Sequence, residues 1–207
     1  MNFISAIAAA TIVAVSANLQ AAEICGALGE TYGDYRNSDN KGMLELVERF
    51  HFTRDVENLV KGNTAYIGGD LSYTLYRFPN HHRALMSMAK LALREKSPRA
   101  SNASYSVQCY FDRAFRFMPD DGVAHMIYGI YLSKLGNPAS KAAVTEQFNE
   151  AIRLEPDNAN INYNLGLIYF QEKDYEHART YAKKAYELGF PLSGLKDKLT
   201  AAGKWAE

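Results

Sequence analysis

The sequence predicts an all-α protein built as a short stack of antiparallel helix pairs. Three observations carry that reading. Four segments resemble one another and each closes on a proline: Tyr73-Thr-Leu-Tyr-Arg-Phe-Pro79, Arg113-Ala-Phe-Arg-Phe-Met-Pro119, Glu150-Ala-Ile-Arg-Leu-Glu-Pro156 and Lys184-Ala-Tyr-Glu-Leu-Gly-Phe-Pro191. Their prolines stand 40, 37 and 35 residues apart, a period that belongs to paired helices stacked on one another. Small residues recur in register with them. Ala89, Gly129 and Gly166 fall where the two helices of a pair must approach, and Ala114, Ala151 and Ala185 where one pair meets the next. Between them Phe111, Phe115, Phe148, Ile152 and Tyr186 follow the helical spacing of i, i+3 and i+4.

Composition agrees with a globular chain. Of 207 residues 47% are hydrophobic and 22% charged, and 23 basic residues balance 23 acidic ones. A chain with no basic excess lacks the means to displace counterions from phosphate, which argues against a nucleic-acid partner. No stretch reaches the roughly 18 consecutive apolar residues of a membrane-spanning helix.

Residues 1–22 read as a signal peptide. They carry no Asp, Glu, Lys or Arg, and the apolar run Phe3–Val15 has the length of an export core. Two cleavage points follow, after Val15-Ser16-Ala17 or at Ala21-Ala22, and an uncleaved anchor is the other reading. Glu23 and Ile24 precede Cys25 where a lipidated cysteine would need a small residue, so a lipid anchor is rejected. The expected location is periplasmic or secreted. There the only two cysteines, Cys25 and Cys109, are expected to form a disulfide tying an extended N-terminal arm, 23–41, to a helix; two separate thiols are the alternative.

Residues 42–81 read as a divergent helical cap. It holds two short helices broken around His51–Thr53, with Thr53 capping the second and Val56, Leu59 and Val60 turned inward. The Gly62–Gly69 turn then leads into a helix ending at Pro79. Three units follow, over about 82–121, 122–158 and 159–191, and each proline ends a second helix because it lacks an amide hydrogen. Asn80, Asp120, Asp121, Asp157 and Asn158 offer caps for the helices that come next. Residues 192–207 read as a covering helix with Leu192, Leu195, Leu199 and Ala202 on one face, and with Trp205 folded back as a plug. One pair cannot bury its apolar stripe alone, so several must stack.

The last unit carries Leu165-Gly166-x-x-Tyr169, then Ala178, Ala182 and Ala185, with Pro191. This resembles the tetratricopeptide-repeat (TPR) pattern, with Asn162 in place of Trp, Ala182 in place of Phe, and the proline one position late. The middle unit has Tyr128-Gly129-x-x-Leu132, Val144, Phe148, Ala151 and Pro156, with three extra residues in its turn. The earlier unit has Met88-Ala89-x-x-Ala92, Val107, Phe111, Ala114 and Pro119, with a turn six residues longer.

The resemblance implies a groove lined by the first helix of each pair, where partners dock as peptides or helices. The matching positions are Arg83, Met86, Lys90, Leu93 and Arg94; then Val123, Met126, Ile130, Ser133 and Lys134; then Asn160, Tyr163, Leu167, Phe170 and Gln171. Met86, Met126, Tyr163, Lys90, Ile130 and Leu167 occupy the places where carboxylate-clamping members carry Lys and Asn, so that clamp is absent. An apolar groove with a basic entrance suits an apolar peptide or a partner helix. It also suits the chain's own ends, the terminal helix over the third unit and residues 42–61 along the first. Charge is uneven, with seven basic against two acidic residues over 81–116 and three against seven over 137–178, which leaves self-association open.

Chemistry is sparse. His81-His82 are neighbours on a helix start and do not share a face; His51, His125 and His177 are scattered; Gly68-Gly69-Asp70 reads as a turn. No Cys-x-x-Cys, Gly-x-Ser-x-Gly, His-Glu-x-x-His or phosphate-cradling loop is present. The expected function is a non-enzymatic adaptor for an envelope complex, with no cofactor and no metal. A metal-dependent or small-molecule enzyme using Asp70, His81 and His82 is the alternative from another class, and a self-associating spacer is a third.

Overall fold

The computed structural model describes residues 25–137 and 140–205, and the signal-peptide reading of 1–22 lies outside them. Among the described residues the chain is helical, with no strand. The helices are α1 (Lys41–His51), α2 (Arg54–Glu57), α3 (Ile67–Arg77), α4 (His82–Glu95), α5 (Val107–Phe117), α6 (Gly122–Lys134), α7 (Lys141–Leu154), α8 (Ala159–Gln171), α9 (Tyr175–Glu187) and α10 (Gly194–Ala201). They fall into two compact units, divided between Phe117 and Met118.

In the first unit α1 packs on α3, and α4 packs on α2, α3 and α5. Val47, Phe52, Val56, Leu71, Leu75, Phe78, Leu85, Met88, Leu91 and Phe111 are buried. Thr53 caps α2, its hydroxyl accepting from the Val56 amide at 3.5 Å. Val56 is buried, but Val60 is 68% exposed. The helix ends at Glu57, so the inward spacing expected of Val60 does not continue past it. Gly68-Gly69-Asp70 is the first turn of α3 and not a separate turn. A side chain at Gly68 would strike the Ser101 carbonyl, so the absence of Cβ lets the 97–106 loop cross there. That long loop is bound down: the Tyr110 hydroxyl accepts from the Ser104 and Tyr105 amides at 3.1 and 3.3 Å and pairs with Ser72 Oγ at 2.6 Å.

The arm before α1 is held along its length. Cys25 and Cys109 are bonded, across a sequence separation of 84. Arg113, 1% exposed, donates to the Cys25, Gly26, Ala27 and Leu28 carbonyls at 2.5 to 3.4 Å. Further on, the Tyr32 amide donates to the Arg77 carbonyl and the Tyr35 amide to Asn80 Oδ1. A 3-10 turn at Ser38–Asn40 closes the arm, so its last residues are not extended.

The second unit is a stack of helix pairs, α6 with α7 and α8 with α9, with α10 against α8 and α9. Short connections make consecutive helices antiparallel. The Asp121 carboxylate accepts from the Ala124 amide and Asn158 Oδ1 from the Asn160 and Ile161 amides, satisfying first-turn donors. A Cβ at Gly129 would sit 2.8 Å from the Phe148 ring, and one at Gly166 would lie 2.7 Å from Leu195 and 3.2 Å from the Ala178 carbonyl. Ala151, Ala178, Ala182 and Ala185 are fully buried. Only two of the four residues expected on the covering helix's inner face are inside: Leu195 and Leu199 are buried, while Leu192 is 63% exposed and Ala202 is exposed. The helix spans only Gly194–Ala201, so neither end residue lies within it. Trp205 folds onto α9, edge-on to Tyr186 with ring centres 6.1 Å apart.

Candidate functional site

The first helices of the pairs carry the residues expected to meet a partner. In the first unit that face of α4 is already occupied. Arg83 donates to Glu57 at 2.5 and 2.7 Å and to Glu48 at 3.3 Å, and its guanidinium lies 5.1 Å from the Phe52 ring centre. Ser87 Oγ donates to the Glu57 carbonyl and Arg94 to the Leu59 carbonyl. Residues 48–59 therefore lie along α4. The hydrogen bond and charge of Arg83 hold the Glu57 carboxyl below the usual range. Met86 and Leu93 are half-buried; Lys90 is exposed. Arg83 and Arg94, expected at a groove entrance, instead bind the cover.

In the second unit α6 and α8 pack side by side, and Asn164 Nδ2 lies 3.5 Å from Met126 Sδ. Met126 is buried, Val123, Ile130 and Ser133 are half-buried, and Lys134 is exposed. On α8, Tyr163, Leu167 and Phe170 are half-buried while Asn160 and Gln171 are exposed. Tyr163 stacks on Phe190 at 3.9 Å, and Tyr163, Leu167 and Phe170 all pack on the cluster of Ala178, Ala182, Leu195 and Leu199. Each of them, like Ile130 on the neighbouring α6, keeps part of its area in solvent, and these half-buried side chains make up the apolar strip of the stack.

The histidines and Asp70 are distributed among separate clusters. His81 is fully buried and caps α4: Nδ1 accepts from the Ala84 amide at 3.2 Å, so Nε2 carries the proton it donates to Glu48 at 3.0 Å. Burial pulls the His81 pKa down, and Glu48 is held low chiefly by the His81 bond. Asp70 accepts from Thr64 Oγ1 and from the Asn63, Thr64 and Ala65 amides, and pairs with His51 Nδ1 at 3.0 Å. Thr64 Oγ1 also approaches that same Nδ1, at 2.9 Å. A proton relay needs hydroxyl and carboxylate on opposite ring nitrogens. This cluster ties a loop to α3 and does not build a nucleophile. His82 lies against Tyr35, ring centres 5.1 Å apart. Among the described residues no group of three or more His, Cys, Asp or Glu side chains is placed to hold a metal ion.

Sequence reasoning missed Glu57 and Glu48 as partners of the α4 face, and Arg113 as the anchor of the arm. Arg113 had a visible signal: a cation one turn after Cys109 on a helix whose neighbours Tyr110, Phe111 and Ala114 are core residues.

Two family models match the chain, one described as TPR repeat over residues 143–173 and one as tetratricopeptide repeat over residues 159–188. No curated protein matches it. The matched stretch takes in most of α7 and all of α8 and α9, where glycine and alanine set the close approaches; over residues 143–188, in the second unit, the chain carries tetratricopeptide repeats.

Proposed function

We propose that this chain is an exported, non-enzymatic adaptor that binds another protein and supports the assembly or regulation of an envelope complex in the bacterial periplasm. The coarse part of this reading, a protein–protein interaction role, follows from the repeats. One observation carries the finer part. The corresponding face of α4 is covered by residues 48–59, whereas Ile130 on α6 and Leu167 on α8 keep apolar surface in solvent beside Tyr163 and Phe170. The partner element is an apolar peptide or an amphipathic helix laid against α6 and α8. The absence of Asp, Glu, Lys and Arg from residues 1–22, the run Phe3–Val15 within them and the Cys25–Cys109 disulfide support export to an oxidising compartment. Among the described residues no helix is long and apolar enough to cross a membrane.

The test is a photoreactive residue at Ile130 in the native cell envelope, with Glu146 on the exposed face of α7 as the control position. One discrete protein crosslinked from Ile130 and absent from Glu146 is expected. No product at Ile130 and Leu167, or equal trapping from Glu146, contradicts the reading.

A further inference from the structure

A cleft of about 400 Å³ opens in the first unit between α3, the 97–106 loop and α5, away from the α4 face. Its walls include Tyr73, Tyr76, Tyr105 and Tyr110, with Ser72 and Arg113 among its lining. That volume lies in the range of small-molecule sites, which combine aromatic walls with a few fixed polar groups.

One guanidinium group lines it, that of Arg113, and a second, that of Arg77, stands beside two of its tyrosines. Arg113 is buried and lies 4.8 Å from the Tyr105 ring centre. Its partners are main-chain carbonyls of the arm, and among the described residues it makes no ion pair. Carbonyl dipoles solvate a cation without cancelling its charge. Arg77 stands 5.3 and 5.2 Å from the ring centres of Tyr73 and Tyr76, has a buried Nε with no hydrogen-bond partner, and likewise makes no ion pair. Its Nη1 donates to the Glu30 carbonyl at 3.2 Å, and its guanidinium lies 4.5 Å from the Tyr32 ring centre, both in the arm. Arg113 in the lining and Arg77 next to the Tyr73 and Tyr76 walls, neither with a counter-charge, favour an anion in a site shaped for flat groups.

The Tyr110 and Ser72 hydroxyls are already engaged with each other and with loop amides. They fix the walls and leave recognition to ring faces and charge. A ligand ammonium is disfavoured by both arginines.

We infer that this cleft binds a small aromatic carboxylate, its ring against the tyrosine walls and its charge answering Arg113 and Arg77. The site lies within the first unit and does not depend on the adaptor reading. The experiment is calorimetric titration of the disulfide-bonded protein with 4-hydroxyphenylacetate, its neutral amide, and acetate. The acid is expected to bind at least about tenfold more tightly than the amide, which lacks the charge, and than acetate, which lacks the ring. Tyr105→Ala is expected to weaken the acid by about tenfold or more, and Trp205→Ala in the second unit to leave it unchanged. Indistinguishable heats for acid and amide in the unaltered protein overturn the proposal whether or not any variant folds. So does no heat at about 10 mM acid, or acid binding that survives both Tyr105→Ala and Tyr76→Ala. None of these outcomes moves the crosslink at Ile130, so failure here is separate from failure of the adaptor reading.

Discussion

His81 satisfies both ring nitrogens in only one protonation state: Nδ1 must accept from the Ala84 amide while Nε2–H meets Glu48. A second proton would face the amide hydrogen at the start of α4. Burial accordingly lowers the His81 pKa, and the sign of the pH dependence follows. The unfolded chain protonates near 6.5 while the folded chain resists, so stability is full above that value and declines as pH falls toward the folded pKa. Glu48, also held low, adds a loss at more acid pH. Thermal unfolding between pH 7.5 and 5 should show a falling midpoint, and His81→Asn, which keeps a side-chain acceptor for the cap, should flatten that slope. Parallel curves for the two proteins would contradict this account. Arg113 is the other decisive residue. Arg113→Met removes the donor to a row of arm carbonyls, and urea denaturation should show the protein destabilised by about 3 kcal/mol.

At the scale of helices, small residues decide how closely the rods approach. Gly129→Leu must displace the fully buried Phe148 ring and should cost about 3 kcal/mol by denaturant titration. Gly42→Ala meets nothing within 4 Å in α1 and should instead stabilise by about 0.5 kcal/mol, because alanine loses less backbone freedom on folding. If both cost the same, helix spacing is not what Gly129 sets. The same contrast explains what the sequence made legible. Helix ends at Pro79, Pro119 and Pro156, the caps Asp121 and Asn158, and the close approach at Gly129 all depend on residues a few positions apart or on one repeated spacing. Val60, Leu192 and Ala202 were placed wrongly because an apolar period was extended beyond the helix: Val60 and Ala202 follow the last helical residue and Leu192 precedes the first. The cover on α4 was foreseen as one of two occupants of its face, but its fastening by Glu57 and Glu48 was not. Those bonds join residues 26 and 35 apart with no periodic signature. The tyrosine cleft was illegible for the same reason, since three separate segments supply its walls.

Over the whole molecule, the first unit is a helical body strapped by its own arm and the second is a repeat stack with an apolar strip. The Cys25–Cys109 bond closes a loop spanning 84 residues, and a constraint of that length stabilises by about 4 kcal/mol through the unfolded chain. Replacing both cysteines by serine should lower the unfolding free energy of the first unit by about 2–5 kcal/mol. An unchanged denaturation midpoint would mean that Arg113 and Arg77 hold the arm without the bond. The adaptor reading rests on the strip being surface and not core. Its most direct measurement pairs two numbers for the double variant Ile130→Ser, Leu167→Ser: affinity for the protein crosslinked at Ile130, and unfolding free energy. The account predicts affinity reduced at least about tenfold with a stability loss of no more than about 2 kcal/mol, since both side chains are only half-buried. Unaltered affinity together with a stability loss of several kcal/mol would show that these side chains serve the fold and that the partner binds elsewhere.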